Sequence, residues 1–431
     1  MNFGTGELAV LRSNKNTASS PVPKFTSHEI PLNDALLSSL AAEAIFSDRL
    51  TNLVKVKSSL NVERLNIQSD GALYVAQWSP NSQYLAVANT DQLTVIFEAE
   101  SGQEVMRFTH PFEIDLGEWS PDAKYFATSG YGTVEIHEMS TGKQIFNTSS
   151  DSEFINKLLW SPNGQYLAVF AIQEESRNSV VRVFDIHASV EVAKVEHRQG
   201  SLWMEWSPDS QYLATSSRDR TASVIEVGSA TQILLVVNES SFSGIAWHPN
   251  RLVLAISDRN QDIQLITIPD LEKITHIQSN VSGWLEWSPD GQYILSEMRD
   301  GLASIIDPED GRVVANIPHR WTRAAWSPNN QYITTASDKQ TRQVFEVATG
   351  LKILDTPHDN EMFPITWRSD SQYVLTGSLE GTIRVIKIAT GEEVQQINHQ
   401  ASFYYGASWS PDGQYIATYT SSEVKITKFT P

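Results

Sequence analysis

A tryptophan-centred segment recurs nine times in this chain, and no other feature of the sequence restricts the fold as strongly. Trp78 opens WSPNSQYLAVA, Trp119 WSPDAKYFATS, Trp160 WSPNGQYLAVF, Trp206 WSPDSQYLATS and Trp247 WHPNRLVLAIS. Trp287 opens WSPDGQYILSE, Trp326 WSPNNQYITTA, Trp367 WRSDSQYVLTG and Trp409 WSPDGQYIATY. Successive Trp residues are 41, 41, 46, 41, 40, 39, 41 and 42 residues apart. A repeat of this length marks an architecture in which each unit packs only on its neighbours. The usual expectation of two or three domains for 431 residues therefore does not apply.

The unit can be read from its turn chemistry. An apolar stretch ends at the Trp, and Ser-Pro-Asx-Gly follows in the fullest copies. Pro presets φ at the second position of a tight turn, Asp or Asn suits the third, and Gly accepts the left-handed conformation after it. A second apolar run begins at Tyr, six residues past the Trp in eight copies, with Val253 in the other. That pattern is a β-hairpin. A third alternating run follows, as at Thr221–Val227, Thr341–Val347 and Thr382–Ile388. A second turn then falls at Ser101–Gly102, Thr141–Gly142, Thr349–Gly350 and Thr390–Gly391, and a fourth short run such as Glu393–Ile397 closes the unit. Four strands in about 41 residues predict one blade of a β-propeller.

At this level the chain resembles the WD40 family over roughly residues 61 to 431. The family's blade carries a His about nine residues before the aromatic that ends its first strand. His110, His197 and His358 match that spacing, His399 lies one residue farther, and His319 lies closer. The family's Asp before the third strand is matched by Asp219 and Asp338, with Asp258 and Asp300 as further matches. The dipeptide that names the family is absent. Its place is taken by Phe97-Glu98, His137-Glu138, Phe184-Asp185, Ile225-Glu226, Ile306-Asp307 and Phe345-Glu346. Without that Trp the family's buried His–Ser–Asp–Trp network is incomplete, and apolar packing is expected to carry more of the blade-to-blade contact. The nine repeat Trp residues are the expected core stripe.

The resemblance implies an all-β protein, a single closed propeller of nine four-stranded blades. An eight-bladed ring with one displaced unit and a pair of smaller rings are the alternatives; the even spacing disfavours the pair. The ninth copy ends after a third strand, Glu423–Phe429, and Asn61–Ser69 fits the missing fourth by position and pattern. Pairing the two would close the ring and remove its open sheet edges. The long interval between Trp160 and Trp206 is read as an extended loop around Gln173–Ser179. Residues 1–60 stand outside the repeat and form a short helical extension. Leu32, Leu36, Leu40 and Ala44 share a helical face in Pro31–Phe46, and Ser47-Asp48 would cap a second helix through Val56. Within it, LAAEAIFSDRL resembles the helical lead-in to the C-terminal propellers of bacterial STAND/NACHT-type proteins.

Little in the sequence suggests catalysis. There is no cysteine, so thiolate metal sites and Cys nucleophiles are excluded. Gly4-Thr5-Gly6-Glu7 lacks the Lys-Ser/Thr of a phosphate loop, and neither HExxH nor GxSxG occurs. Asp258–Asp262 lacks the Gly and distant Glu of a calcium loop. The expectation is a non-enzymatic protein with no cofactor and no metal. A formal charge of −19 disfavours nucleic acid as a partner. It keeps a large surface soluble and would favour partners with a basic patch. With no secretory signal and no apolar run of membrane-spanning length, a cytoplasmic monomer is expected, with no membrane association.

Three Trp residues remain outside the repeat: Trp203, Trp284 and Trp321, each three to five residues before a repeat Trp. Phe154, Phe242, Phe363, Phe403, Tyr404 and Tyr405 occupy similar places. In WD40-like rings these positions lie at one rim of the channel, and exposed aromatics gathered on one face mark binding sites. The candidate partner-binding set is Trp203, Trp284, Trp321, Phe363, Tyr404 and Tyr405; filling space between blades is the other reading of these side chains. Glu118, Glu205 and Glu286, each beside a repeat Trp, are read as solvent-facing charge rather than a belt at the channel. Two functions follow: a protein-interaction scaffold or sensor, in signalling for instance, or a lectin-like propeller binding a small ligand. The aromatic set varies from blade to blade, which favours the protein partner.

Overall fold

The computed structural model describes residues 54–55, 63–68, 72–150, 152–198, 202–237, 241–258, 262–278, 281–298, 302–318, 324–336, 341–357, 366–377, 381–399 and 404–430. Contacts divide the chain into Met1–Thr51 and Asn52–Pro431. The second unit is an all-β propeller of nine blades, eight of them continuous antiparallel meanders beginning at the innermost strand. Blade 1, for example, runs Leu73–Trp78, Tyr84–Asn89, Leu93–Glu98 and Glu104–Thr109. Among the described residues no helix is long and apolar enough to cross a membrane. The helix expected over Pro31–Phe46, with LAAEAIFSDRL, lies outside the described residues. The second expected helix is corrected at its C-terminal end, where Val54–Lys55 is a short strand paired with Ile67 and Gln68. Backbone pairing on the open edge of the last blade outweighs the local helical pattern there.

Blade 9 is assembled from both ends of the propeller unit. Glu63–Gln68 pairs antiparallel with Glu423–Lys428, placing Ile67 opposite Val424 and Leu65 opposite Ile426. Leu65 and Ile67 are buried in one core with Leu73, Trp78, Tyr415 and Val424, so the seam joins blade 9 to blade 1. Asp412 N–H donates to Ser82 Oγ across the same seam at 2.9 Å. Extra residues in blade 3 lengthen its second and third strands, Tyr166–Gln173 and Ser179–Asp185, around the turn at residues 174–178.

The Ser-Pro-Asx turn is fixed by its own side chains. Ser79 Oγ donates to Asn81 Oδ1 at 2.6 Å and accepts from Tyr84 N–H at 2.9 Å, while Asn81 Oδ1 also accepts from Gln83 N–H. Ser120, Ser161, Ser207, Ser288, Ser327 and Ser410 make the same pair of bonds. The hydroxyl thereby satisfies a buried backbone donor at the start of each second strand. The residue after the Asx is left-handed whether it is glycine or not: Gly164 and Gly413 have φ of 71° and 68°, Ser82 and Ser210 61° and 64°.

Eight of the nine repeat Trp side chains are 4–7 % exposed; Trp367 is half-buried. Each sits between two blades in an apolar cluster, as Trp206 does with Ala168, Phe170, Val183 and Leu213. Packing is joined by a contact the sequence does not announce. The indole N–H of Trp119 donates to the Gln77 carbonyl at 3.0 Å, in the residue just before the previous blade's Trp. Trp78, Trp160, Trp206, Trp247, Trp287 and Trp367 repeat this bond to Ser408, Glu118, Leu159, Glu205, Ala246 and Ala325 at 3.0–3.3 Å. In Trp326 and Trp409 the same buried N–H has no partner among the described residues.

Candidate functional site

The innermost strands of blades 3 to 6 enclose a cavity of about 450 Å³ in the channel wall. Lys157, Trp203, Glu205, Gly244, Trp284 and Glu286 line it, alongside the repeat residues Trp247 and Trp287. Trp203 lies on Leu202–Trp206 opposite Ser216, and Trp284 on Val281–Trp287. Both side chains are half-buried. Trp203 packs against the core between blades 4 and 5, and Trp284 against the core between blades 6 and 7. Each therefore contributes to blade packing and to the cavity wall together. Gly244 lets these strands come close, since a Cβ there would lie 2.9 Å from Leu285 N and 3.2 Å from Trp284 Cα.

The carboxylates beside the repeat Trp residues depart from the solvent-facing expectation. Glu118, Glu205 and Glu286 are all half-buried, because strands at the centre of a closed ring face other strands on both sides. Burial pushes the Glu205 carboxyl up to about 7, against the opposing pull of the Trp247 N–H and Lys157, and Glu286 adds to the rise. Trp247 N–H donates to Glu205 Oε2 at 3.1 Å. Burial also raises Glu118, which accepts from Gln77 Nε2 at 3.1 Å; Lys157 pulls in the other direction. The wall thus combines aromatic faces, one lysine and the Glu205 carboxyl, raised to about 7.

The structure places the other candidate residues unevenly. Tyr404 and Tyr405 open the innermost strand of blade 9, Tyr404–Trp409, with Tyr404 paired to Thr420. Trp321, Phe363 and Phe403 lie outside the described residues. Phe242 is buried between blades 4 and 5, whereas Phe154 is 40 % exposed. Lys157 and Gly244 were not singled out from the sequence; lying on different blades, they carry no shared local signal.

The family-like His residues are structural. His197 Nδ1 lies 2.7 Å from Thr221 Oγ1 and Nε2 3.0 Å from Thr215 Oγ1, with Asp219 3.6 Å away. His399 bridges Glu423 at 2.8 Å and Thr418 at 2.7 Å, and His110 bridges Glu135 and Thr94 at 2.7 and 3.0 Å. Each links the end of one blade to the next through Thr and Glu side chains. His319, His358, Asp300 and Asp338 lie outside the described residues. Among the described residues no group of three His, Asp or Glu side chains is placed to hold a metal.

Comparisons with known proteins agree with this architecture. The family model described as "Eukaryotic translation initiation factor eIF2A" matches residues 49–168 and 118–236. Eukaryotic translation initiation factor 3 subunit I of Saccharomyces cerevisiae (strain ATCC 204508 / S288c) is 25 % identical over 223 residues, covering 47 % of this chain and 63 % of that protein. Actin-interacting protein 1 of Drosophila melanogaster is 22 % identical over 232 residues, 51 % of this chain and 37 % of the relative. The matches therefore span less than two thirds of these relatives' lengths. Among solved structures, the C-terminal WD40 domain of Sif2 superposes with a TM-score of 0.57 at 12 % identity, covering 88 % of this chain and 98 % of that one. The computationally designed Ika8 protein gives 0.53 at 13 % identity, over 84 % and 98 %. These two structural likenesses concern the fold alone.

Proposed function

We infer, from the premise that this chain is a WD40-like β-propeller, that it is a non-catalytic protein-interaction scaffold whose partner docks at one mouth of the channel. The observation that carries this reading is the cavity shared by Trp203 and Trp284, two aromatics outside the repeat consensus that the ring brings to one wall. Trp321, Phe363, Tyr404 and Tyr405 stand four or five residues before a repeat Trp in the sequence and complete the proposed partner-binding set. Aromatic anchors dominate interface energies, and truncating one often costs about 2 kcal/mol or more. The carboxyls of Glu205 and Glu286 in the same wall favour a basic patch on the partner, with association slowing as salt rises. The names of the relatives support this reading, since they describe a subunit of an initiation factor and a protein that interacts with actin. A cytoplasmic location and a monomeric state fit it.

The test is to isolate a partner with the wild-type chain, purify it, and measure its affinity for Trp203→Ser and Trp284→Ser variants of unchanged melting temperature. A loss of at least tenfold is expected. Unchanged affinity in both folded variants would place the interface elsewhere. A second reading, a lectin-like or other small-ligand propeller, draws on the cavity volume, which falls in the range of small-molecule sites. It predicts saturable binding of a sugar or metabolite that both substitutions abolish.

A further inference from the structure

Against a formal charge of −19, one groove of the propeller is basic. It lies between blades 3 and 4 and measures about 620 Å³. Arg198 reaches it from the end of blade 3's outer strand, and Arg218 and Arg220 from the turn between the second and third strands of blade 4. Lys194, Glu196 and Asp219 complete its charged lining. Lys194 is paired with Glu196. Asp219 is engaged by the backbone N–H groups of Arg198 and Thr221, at 2.6 and 2.9 Å, and by the Thr221 hydroxyl. Both acids are thus occupied.

The three guanidinium groups are not. All three side chains are exposed, and none makes an ion pair or hydrogen bond with the described residues. Elsewhere Arg107, Arg182, Arg312 and Arg368 each face a carboxylate. Three unpaired arginines lining one groove concentrate positive charge there and favour an anionic ligand. Arg220 holds φ of 73°, as Gln92 does at the equivalent position of blade 1 with 62°, whereas blades 2 and 8 carry Gly132 and Gly381 there at 75° and 81°. A non-glycine residue in that region costs on the order of 1 kcal/mol, a strain that glycine would remove.

The groove is more than a point for a small ion. Leu235 lines the same wall and is 56 % exposed, an apolar anchor beside the charges. Among the described residues no Trp, Tyr or Phe lines the groove and its one histidine, His197, is buried, so it offers no exposed platform for stacking bases. The acidic remainder of the chain repels a long polyanion but tolerates a short segment with local negative charge. Arginine forks pair bidentately with carboxylates. We propose that this groove binds an acidic peptide segment, its carboxylates on Arg198, Arg218 and Arg220 and an apolar residue against Leu235. The site is separate from the channel aromatics and stands whether or not the scaffold reading does.

The experiment uses the full chain and a fluorescein-labelled ten-residue peptide of glutamates with two central leucines, followed by anisotropy. Saturable binding that weakens with salt is expected, and the glutamine version of the peptide should bind at least tenfold more weakly. Arg218→Glu and Arg220→Gly should each weaken binding severalfold. Arg220→Gly should keep or raise the melting temperature, because glycine suits its backbone. Trp203→Ser should leave peptide binding unchanged, which separates this site from the channel. Equal binding of the acidic and glutamine peptides, no binding at all, or full binding by both arginine variants would overturn the proposal. So would a single-stranded DNA oligomer that competes at a lower concentration than the unlabelled acidic peptide.

Discussion

Replacing Glu205 by Gln should stabilise the propeller at pH 8 and change it much less at pH 5.5. The wild-type carboxyl titrates near 7 when folded against an ordinary 4.5, because the channel wall disfavours its charge. The folded chain therefore binds this proton more tightly than the unfolded chain. The associated stability is fully present below about 4.5 and is lost as pH rises through about 7. At about 1.4 kcal/mol per pKa unit, the whole gap would be worth roughly 3 kcal/mol. The side chain is partly open to the channel, and screening by water there reduces the expected effect to about 1–2 kcal/mol. Gln imitates the neutral form at every pH and keeps an oxygen to accept from the Trp247 N–H, so the inter-blade bond survives. The assay is urea unfolding of both proteins at pH 5.5 and pH 8, followed by Trp fluorescence. The variant's advantage should grow with pH. A difference that does not change with pH, or a variant less stable at pH 8, would refute the claim that burial of Glu205 governs its titration.

The indole ring of hydrogen bonds gives a paired test. Trp287→Phe removes a donor that reaches the Ala246 carbonyl, whereas Trp326→Phe removes a donor that has no partner among the described residues. Trp287→Phe should cost about 1–2 kcal/mol more than Trp326→Phe in the same unfolding assay, and equal costs would deny the bond a role. Glu423 behaves oppositely to Glu205. Burial alone would raise it, but the hydrogen bond and charge of His399, with Lys425, hold it at about 2. That stability is present above about 4.5 and lost as pH falls towards 2. Glu423→Gln should therefore cost roughly 2–3 kcal/mol at pH 7 and clearly less at pH 3, as measured by urea midpoints.

What the sequence by itself determined is what local chemistry encodes. Ser, Pro and Asx at fixed distances from Trp specify a hairpin, because hydroxyl and carboxamide close the turn within a few residues. Nine copies at one period specify the blades. The missing last strand of the ninth copy pointed to residues 61–69, and Glu63–Gln68 does pair with Glu423–Lys428. Three matters were left to the tertiary structure. Alternation along a strand assigned Glu205 to solvent, but in a closed ring both faces of a blade pack on other blades. The second strands show this directly: after the half-buried Tyr84, every residue of Leu85–Asn89 is buried. The indole bonds ring the channel through backbone carbonyls, which every residue possesses and no sequence pattern marks. Lys157 with Trp203 and Trp284, and Arg198 with Arg218 and Arg220, belong to different strands or blades. Only ring closure, by stacking each blade on the next, brings such residues to one wall or one groove.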